Sequence, residues 1–213
     1  MFTEKIPVWT QDLMDILGPL LPENSYLAGG TGLALHLNHR SSYDLDLYVP
    51  TLFNEHEIVQ KFEAGIPDFS LISQEWQTVI GSSKDTEISL FVYQYMLLEP
   101  TLSFKSIHVA SLSDIASMKL EAVGNRGLKR DFFDLYTICQ LEGWSLGKIV
   151  DLTIQKYHRK ESDLPHLFKS LIYFDDAEQK PERAQIVDET WQNVKQFFLI
   201  ETPQLLRKYL QSD

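Results

Sequence analysis

Apolar and polar residues alternate with two different periods along this chain, and the period changes near residue 110. Before that point, helical spacing at residues 8–18 and 54–65 is interleaved with short apolar or alternating runs. These runs predict strands at 26–28, 43–49, 69–72, 78–81, 87–93 and 107–110. After it the spacing is helical, with helices predicted from 113, 129 and 145 and over 164–174, 187–200 and 203–210, and a polar loop at 175–182.

The change of period predicts the fold class and the domains. An α/β (α+β) core with a mixed β-sheet flanked by helices is expected over 1–110. A helical part is expected over 111–213, either packed on the core or continuous with it in one domain.

Residues 25–49 form the densest unit of this pattern. A short apolar strand at 26–28 is followed by Gly29 and Gly30, which allow unusual backbone angles and let an anion approach the main chain closely. A short helix is predicted from Thr31 to Leu37, and its N-terminus would present N–H groups to the same place. The unit therefore predicts a phosphate-binding turn.

Asp44 and Asp46 lie two residues apart on the next predicted strand, so both carboxylates belong to one face of the sheet, together with Ser42. Like charges this close repel each other unless a cation separates them. Mg²⁺ accepts one or two carboxylates together with phosphate oxygens. An Asp-x-Asp pair alone is also common on solvated strand edges, and the Gly-Gly turn beside it favours the metal-binding interpretation.

The later strand and the segment after it leave two questions open. On the strand at 87–93, Glu87 lies at the edge and Ser89 occupies the position where an inward acid would stand, so a third metal carboxylate is not assigned. Residues 93–100 are aromatic and apolar, and core packing is favoured over a lid above a cleft.

A second cluster of charged residues begins at residue 113, where Ser113 is expected to cap a helix. Lys119 and Arg126 lie on that helix, and Asp131 and Asp134 share one face at the start of the next. Lys119, Arg126, Lys129 and Arg130 could bind phosphates or simply be solvated, and the two aspartates could act in a site or merely complement a helix dipole.

Composition narrows the classes of function. The chain has 213 residues, of which 44% are hydrophobic and 12% aromatic, as expected of a folded globular protein. Its net charge of −11 excludes the global basic signature of a nucleic-acid-coating protein, so any RNA contact must be local. The one cysteine, Cys139, is expected to be a packed core thiol. Without a signal peptide or an apolar run of about 18 residues, a cytoplasmic protein with no membrane contact is expected.

Two motifs resemble the DNA polymerase β-like nucleotidyltransferase superfamily and, within it, the AbiEii/AbiGii toxin family of type IV toxin–antitoxin and abortive-infection systems. The first motif is Gly29-Gly30-Thr31 followed by His39-Arg40-x-Ser42-x-Asp44-x-Asp46. The second is Asp114-Ile115-Ala116-x-x-Lys119 followed by Arg126-Gly127-x-Lys129-Arg130-Asp131-Phe132-x-Asp134-Leu135-Tyr136. The resemblance runs from about residue 25 to 140.

The resemblance implies Mg²⁺-dependent transfer of a nucleoside monophosphate from an NTP to an acceptor hydroxyl, with release of pyrophosphate. It implies that Asp44 and Asp46 hold the metal and that Lys119 contacts the triphosphate, with Asp131 in the active site. The predicted nucleotide-binding set is Gly29, Gly30, Thr31, Arg40, Ser42, Lys119, Arg126, Lys129 and Arg130. The family also implies a tRNA 3′ end as acceptor and a cognate antitoxin as partner.

Two other interpretations of the sequence stay open: a transferase of the same fold with a small-molecule or protein acceptor, and a non-catalytic nucleotide-binding module.

Overall fold

A computed structural model describes residues 1–179 and 186–210, with Leu210 described by its backbone alone. The chain divides into two compact units, residues 1–115 and 116–213, and each is described by itself below.

The first unit contains a seven-stranded mixed sheet. Its strands are β1 Tyr26–Leu27, β2 Leu45–Val49, β3 Phe69–Glu75, β4 Thr78–Ser83, β5 Thr86–Val92, β6 Leu102–Phe104 and β7 Ile107–Val109. The spatial order is β3-β4-β5-β2-β1-β7-β6. The β2–β5 and β1–β7 pairs are parallel and the other neighbours are antiparallel. The predicted mixed sheet with flanking helices is confirmed.

One face of this sheet is buried. Helices α1 Val8–Leu17, α2 Gly29–Leu37 and α3 Glu55–Gly65 belong to this unit. Along β2 the side chains alternate between buried leucine or valine and half-buried Asp46 and Tyr48, which is the period-2 pattern of a strand with one buried face. The core includes Leu13, Leu17, Leu45, Leu47, Phe62, Ile88 and Leu90. Asp46 therefore lies on the face opposite this core.

Several local predictions for this unit are confirmed. Helix α3 begins after Asn54, whose side chain accepts hydrogen bonds from the backbone N–H groups of His56 and Glu57, and it ends at Gly65. Helix α1 ends at Leu17 and a 3₁₀ turn at Gly18–Leu20 follows it.

Other predictions are wrong in detail. Helix α2 begins at Gly29, so the two glycines form its first turn and do not precede it. Strand β2 begins at Leu45, which places Asp44 just before the strand. Residues 93–100 do not pack in the core, because Tyr95 and Met96 are 48% and 83% exposed. Strand β6 is an element that the pattern did not predict.

The second unit is helical in the residues that the structure describes. Helix α4, Leu112–Asn125, contains the division between the units. It is followed by α5 Lys129–Glu142, α6 Leu146–Tyr157, α7 Leu164–Ser170, α8 Asp175–Gln179 and α9 Asp188–Leu210. The predicted helix start at residue 145 is confirmed, since Ser145 caps α6 and its hydroxyl accepts a hydrogen bond from the Lys148 N–H. The cap of α4 is Ser111 and not Ser113, because the Asp114 N–H bonds to the Ser111 hydroxyl at 3.1 Å.

The C-terminal part differs from the prediction in two places. The predicted loop at 175–182 contains α8 in its first five residues, and 180–182 lie outside the described residues. The two helices predicted for 187–200 and 203–210 form the single helix α9, with Pro203 inside it. Cys139 is buried as predicted, and burial raises the pKa of its thiol to about 12. Among residues 1–179 and 186–210 no helix is long and apolar enough to cross a membrane.

Candidate active site

The first turn of α2 lies directly against Asp46. Gly29 has φ +61°, and a Cβ atom at this position would stand 2.0 Å from Oδ2 of Asp46. The two segments are held in register by the backbone N–H of Ala28, which donates to the Asp46 carbonyl at 3.0 Å. Gly29 is therefore required both by its backbone conformation and by the carboxylate beside it.

The next two residues of the same turn contact the rest of the first motif. A Cβ on Gly30 would lie 2.7 Å from the Arg40 guanidinium and 3.0 Å from the Ser42 hydroxyl. The buried Thr31 hydroxyl is 2.9 Å from the Ser42 hydroxyl and donates to the Asp44 carbonyl. The structure thus brings together all the predicted residues of this motif: Gly29, Gly30, Thr31, Arg40, Ser42, Asp44 and Asp46.

This arrangement combines the features of a site for a phosphate and a cation. The first-turn N–H groups of a helix have no intrahelical partner and carry partial positive charge. The Arg40 guanidinium adds a planar donor set that suits phosphate oxygens. Asp44 and Asp46 are both half-buried and both occupy the polar positions of an alternating run. Carboxylates in such a pair fit the ligand preference of Mg²⁺.

The described residues do not allow a third metal carboxylate to be assigned to the pair. Ser89 on β5 pairs with Asp46, and Glu87 is the next residue on the same strand face. No group of three potential metal ligands is present in the described part of the chain. Asp44 and Asp46 are thus the residues that would hold a metal, with its remaining ligands drawn from water and substrate.

The second motif forms a buried ion cluster in the other unit. The Lys119 ammonium lies 2.7 Å from Asp134 and 3.1 Å from Asp131. Asp131 also accepts two hydrogen bonds from Arg126, at 2.9 and 3.1 Å. Both aspartates are fully buried and Lys119 is 5% exposed, whereas the Arg126 side chain is 49% exposed. We call these four residues the ion cluster.

The members of the cluster differ in their burial and in the charges beside them. Burial would raise the pKa of Asp131, but the charges of Lys119 and Arg126 outweigh this and hold its pKa below the ordinary value. A carboxylate in this state is a poor proton acceptor, which favours the positioning role of Asp131 over a role as base. Arg126 is the member of the cluster that presents charge to solvent.

Lys129 and Arg130 lie at the start of α5, beside the ion cluster in sequence. The Lys129 ammonium lies 5.2 Å from the ring centroid of buried Trp191 in α9, where it makes a cation–π contact. Arg130 is half-buried in the first turn of the helix. Their assignment to a nucleotide stays a prediction, as do the roles of the other site residues.

Two features of the first unit were not predicted from the sequence: the contacts of Asp114 and a series of aromatic rings. Asp114 is fully buried and accepts from the Leu98 and Glu99 N–H groups and from the Ser111 hydroxyl, so it fixes the segment before β6. A series of aromatic rings in mutual contact continues the face of the sheet that carries Asp46. It comprises Tyr26, Tyr48, Phe91, Tyr93 and Tyr95.

Comparisons with known proteins identify the fold and the family of the chain. Two Helicobacter pylori structures share its fold: JHP933, at TM-score 0.52 and 18% identity over 94% of each chain, and a proposed nucleotidyltransferase, at 0.55 and 17% over 97% of this chain and 98% of that one. This is the α+β fold of the polymerase β-like nucleotidyltransferases, as predicted.

The family model described as "Nucleotidyl transferase AbiEii toxin, Type IV TA system" matches residues 86–212, more than half of the chain. The chain belongs to this family of nucleotidyltransferases, and the predicted membership is confirmed. An uncharacterised protein of Aquifex aeolicus (strain VF5) is 33% identical over 177 residues, which are 81% of this chain and 84% of that protein. The match of the family model includes the ion cluster and begins after the first motif.

Proposed function

We propose that the protein transfers a nucleoside monophosphate from an NTP to a hydroxyl group at the 3′ end of an RNA, with tRNA as the expected acceptor. The acceptor oxygen forms a bond to the α-phosphorus, and the bond from that phosphorus to the bridging oxygen breaks. Pyrophosphate leaves and the hydroxyl proton passes to water. The observation that carries this proposal is the contact of the α2 first turn with Asp46, which unites a phosphate cradle with a carboxylate pair.

The residues of the first motif have two different proposed roles, phosphate binding and metal binding. The N–H groups at Gly29, Gly30 and Thr31 and the Arg40 guanidinium would bind the phosphates, because they concentrate positive charge at one point. Asp44 and Asp46 would hold Mg²⁺, which when bound neutralises charge on the transferred phosphate. Positioning and electrostatics supply most of the catalysis in transfers of this kind.

The geometry of the ion cluster favours a revised assignment for the second motif. Because Lys119 is already bonded to two buried carboxylates, half-exposed Arg126 is better placed than Lys119 to contact a phosphate or an RNA backbone. Asp131 would orient both cations. We retain Lys119 as a predicted nucleotide-site residue whose ammonium acts through the cluster.

The biological proposal follows the family. A type IV toxin role implies that transfer to tRNA arrests growth and that an antitoxin protein counteracts it. The acidic chain is suited to this task, since a net charge of −11 limits non-specific RNA binding and leaves recognition to a local site.

The test is a labelling experiment with a charge-matched control. Purified protein is incubated with Mg²⁺, total tRNA and each α-³²P-labelled NTP in turn, beside the Asp44→Ala/Asp46→Ala variant. The control is Glu63→Ala/Asp85→Ala, which removes two carboxylates from exposed positions. We expect label on tRNA with wild type and control only, resistant to protease and lost on RNase treatment. Label on a small molecule or protein would overturn the RNA acceptor, and no transfer with NTP binding retained would overturn the enzymatic proposal.

A further inference from the structure

The aromatic series described above borders an open pocket of about 560 Å³ in the first unit. Its lining consists of Trp76, Gln77, Thr78, Phe91, Val92, Tyr93, Gln94 and Tyr95, which we call the aromatic pocket. Trp76 is 80% exposed at the β3–β4 turn and Tyr95 is 48% exposed after β5. Exposed aromatic rings that share one pocket are typical of a binding surface.

The lining indicates what kind of ligand fits. The pocket has no charged residue among those that line it, so it does not attract a phosphate. The Gln77 amide is already bonded to the Phe53 backbone, so it is not available to read hydrogen-bonding edges. Flat rings without charged partners suit a flat neutral group, and nucleobases stack on aromatic side chains regardless of sequence.

Strand register fixes where the pocket lies relative to the candidate active site. On the face that carries Asp46, Ser89 pairs with Asp46 and Phe91 pairs with Tyr48. The pocket therefore begins one strand across from Asp46 and two residues further along, roughly 8 Å away by ordinary strand spacing. Tyr93 continues the series, with its ring centroid 5.2 Å from that of Tyr48.

The phosphate cradle lies on the other side of Asp46. Strand β1, which leads into α2, flanks β2 on the edge opposite β5. Its antiparallel register directs Gly29 towards the Asp44 end of β2, away from Phe91. The cradle and the pocket are thus diagonally opposed across Asp46. In phosphoryl-type transfer the attacking and leaving oxygens are roughly in line, so a leaving pyrophosphate in the cradle requires the acceptor to arrive from the pocket side.

We propose that the aromatic pocket binds the 3′-terminal nucleobase of the acceptor RNA by stacking, chiefly on Trp76 and Tyr95. This inference rests on the proposed function and deepens it. It also explains how a chain of net charge −11 binds an RNA end. The contact is with a neutral base, where electrostatic repulsion between the acidic protein and the RNA backbone matters least.

The kinetic test compares an acceptor RNA with the same RNA carrying an abasic 3′-terminal ribose. Trp76→Ala and Tyr95→Ala are expected to raise the acceptor KM on the order of tenfold each, with the NTP KM unchanged, and Tyr95→Phe is expected to retain wild-type values. The abasic acceptor should show a similar rise with wild type and little further change in the variants. Leu52→Ala, which removes an apolar side chain that is 61% exposed outside the pocket, is the matched control.

A binding test separates this proposal from the proposed function. Binding is measured in the Asp44→Ala/Asp46→Ala variant, so that the signal does not depend on nucleotide transfer. A trinucleotide should quench the part of the tryptophan fluorescence that the Trp76→Phe substitution removes. A trinucleotide with an abasic 3′-terminal ribose should not quench it. Quenching without transfer in the wild type would support the pocket and overturn the function. Transfer with unchanged acceptor KM in Trp76→Ala and Tyr95→Ala would overturn the pocket alone, as would a rise in the NTP KM. Absent quenching with equal use of the abasic acceptor would also overturn the pocket as a binding site for a nucleobase.

Discussion

Replacement of Gly29 by alanine tests the contact on which the candidate active site depends. Gly29 has φ +61°, and a Cβ there would lie 2.0 Å from Oδ2, 2.8 Å from Cγ and 2.9 Å from Cβ of Asp46. Carbon and oxygen atoms that are not bonded do not approach this closely. Either the Asp46 carboxylate or the start of α2 must therefore move in the Gly29→Ala variant.

The loss of stability expected for Gly29→Ala has two separable parts. A residue with a Cβ in the left-handed region costs about 1–2 kcal/mol. Overpacking costs about 1–3 kcal/mol more. We therefore expect Gly29→Ala to lower the free energy of unfolding by about 2–5 kcal/mol. Gly143 has φ +64°, and a Cβ added there would meet no heavy atom within 4 Å, so Gly143→Ala should cost only the first part.

The assay is urea unfolding followed by far-UV circular dichroism, with a double-mutant cycle between Gly29→Ala and Asp46→Ala. In the Asp46→Ala background Oδ2 and Cγ are gone, so the cost of Gly29→Ala should fall towards that of Gly143→Ala. The coupling energy between the two sites should be about 1–3 kcal/mol. If Gly29→Ala costs no more than Gly143→Ala, or if its cost is the same in both backgrounds, the Asp46 carboxylate does not lie against the α2 turn.

Three further outcomes are expected. Lys119→Met should lower the free energy of unfolding by about 3–5 kcal/mol, because it leaves Asp131 and Asp134 buried without their shared cation. Lys61→Met, at an exposed position, is the control, and an equally small loss of stability in both variants would refute the pairing. The pKa of Asp131 is lower in the folded protein than in the unfolded chain, so the stabilisation that its carboxylate provides is present above about pH 4 and is lost as the pH falls through the lowered folded pKa. In acid denaturation the difference in the free energy of unfolding between wild type and Asp131→Asn should therefore shrink as the pH falls, and a constant difference would contradict this. Tyr26→Phe should raise stability by about 1 kcal/mol, since the buried Tyr26 hydroxyl has no hydrogen-bond partner among the described residues; a lowered Tm would show that the hydroxyl is satisfied.

The elements that the sequence predicts correctly are those whose signals are local. Asn54 caps α3 through its own neighbours, and Gly65 ends the same helix. The choice between Ser111 and Ser113 as cap of α4 is different, because two serines two positions apart carry the same local signal. The Ser113 hydroxyl instead donates to Glu99 at 2.7 Å, a contact between segments that no local pattern reveals.

The end of the chain illustrates the same limit. Proline ordinarily stops a helix because it lacks an N–H and crowds the preceding turn. Pro203 nonetheless lies inside α9, whose buried side includes Trp191, Val194 and Phe198. The carbonyl of Leu199, which Pro203 cannot bond, belongs to a residue that is 49% exposed, where water can serve it. Packing over the whole helix outweighs the local break signal.

The candidate site is predictable in its members but not in its contacts. The Gly-Gly pair predicts room for a phosphate, and the structure adds a second reason for it: Asp46 occupies the space beside Gly29, and Arg40 and Ser42 occupy that beside Gly30. Spacing can place Asp44 and Asp46 on one face, since that follows from strand geometry. It cannot show the approach of that face to the α2 turn, which depends on the pairing of β1 with β2.

Under the proposed function, the charge balance of the ion cluster bears on how this acidic chain would bind a phosphate. Lys119 and Arg126 together carry two positive charges, and the buried Asp131 and Asp134 balance them, so the cluster contributes little net charge. Under the proposed function, the attraction for a triphosphate would then come mainly from directed groups: the N–H groups of the α2 first turn, the Arg40 guanidinium and a metal on the carboxylate pair. Such groups act over short distances and demand correct placement of the phosphate. Under the proposed function, a protein built this way would select a positioned substrate without attracting polyanions in general, which is the property that transfer to one RNA end requires.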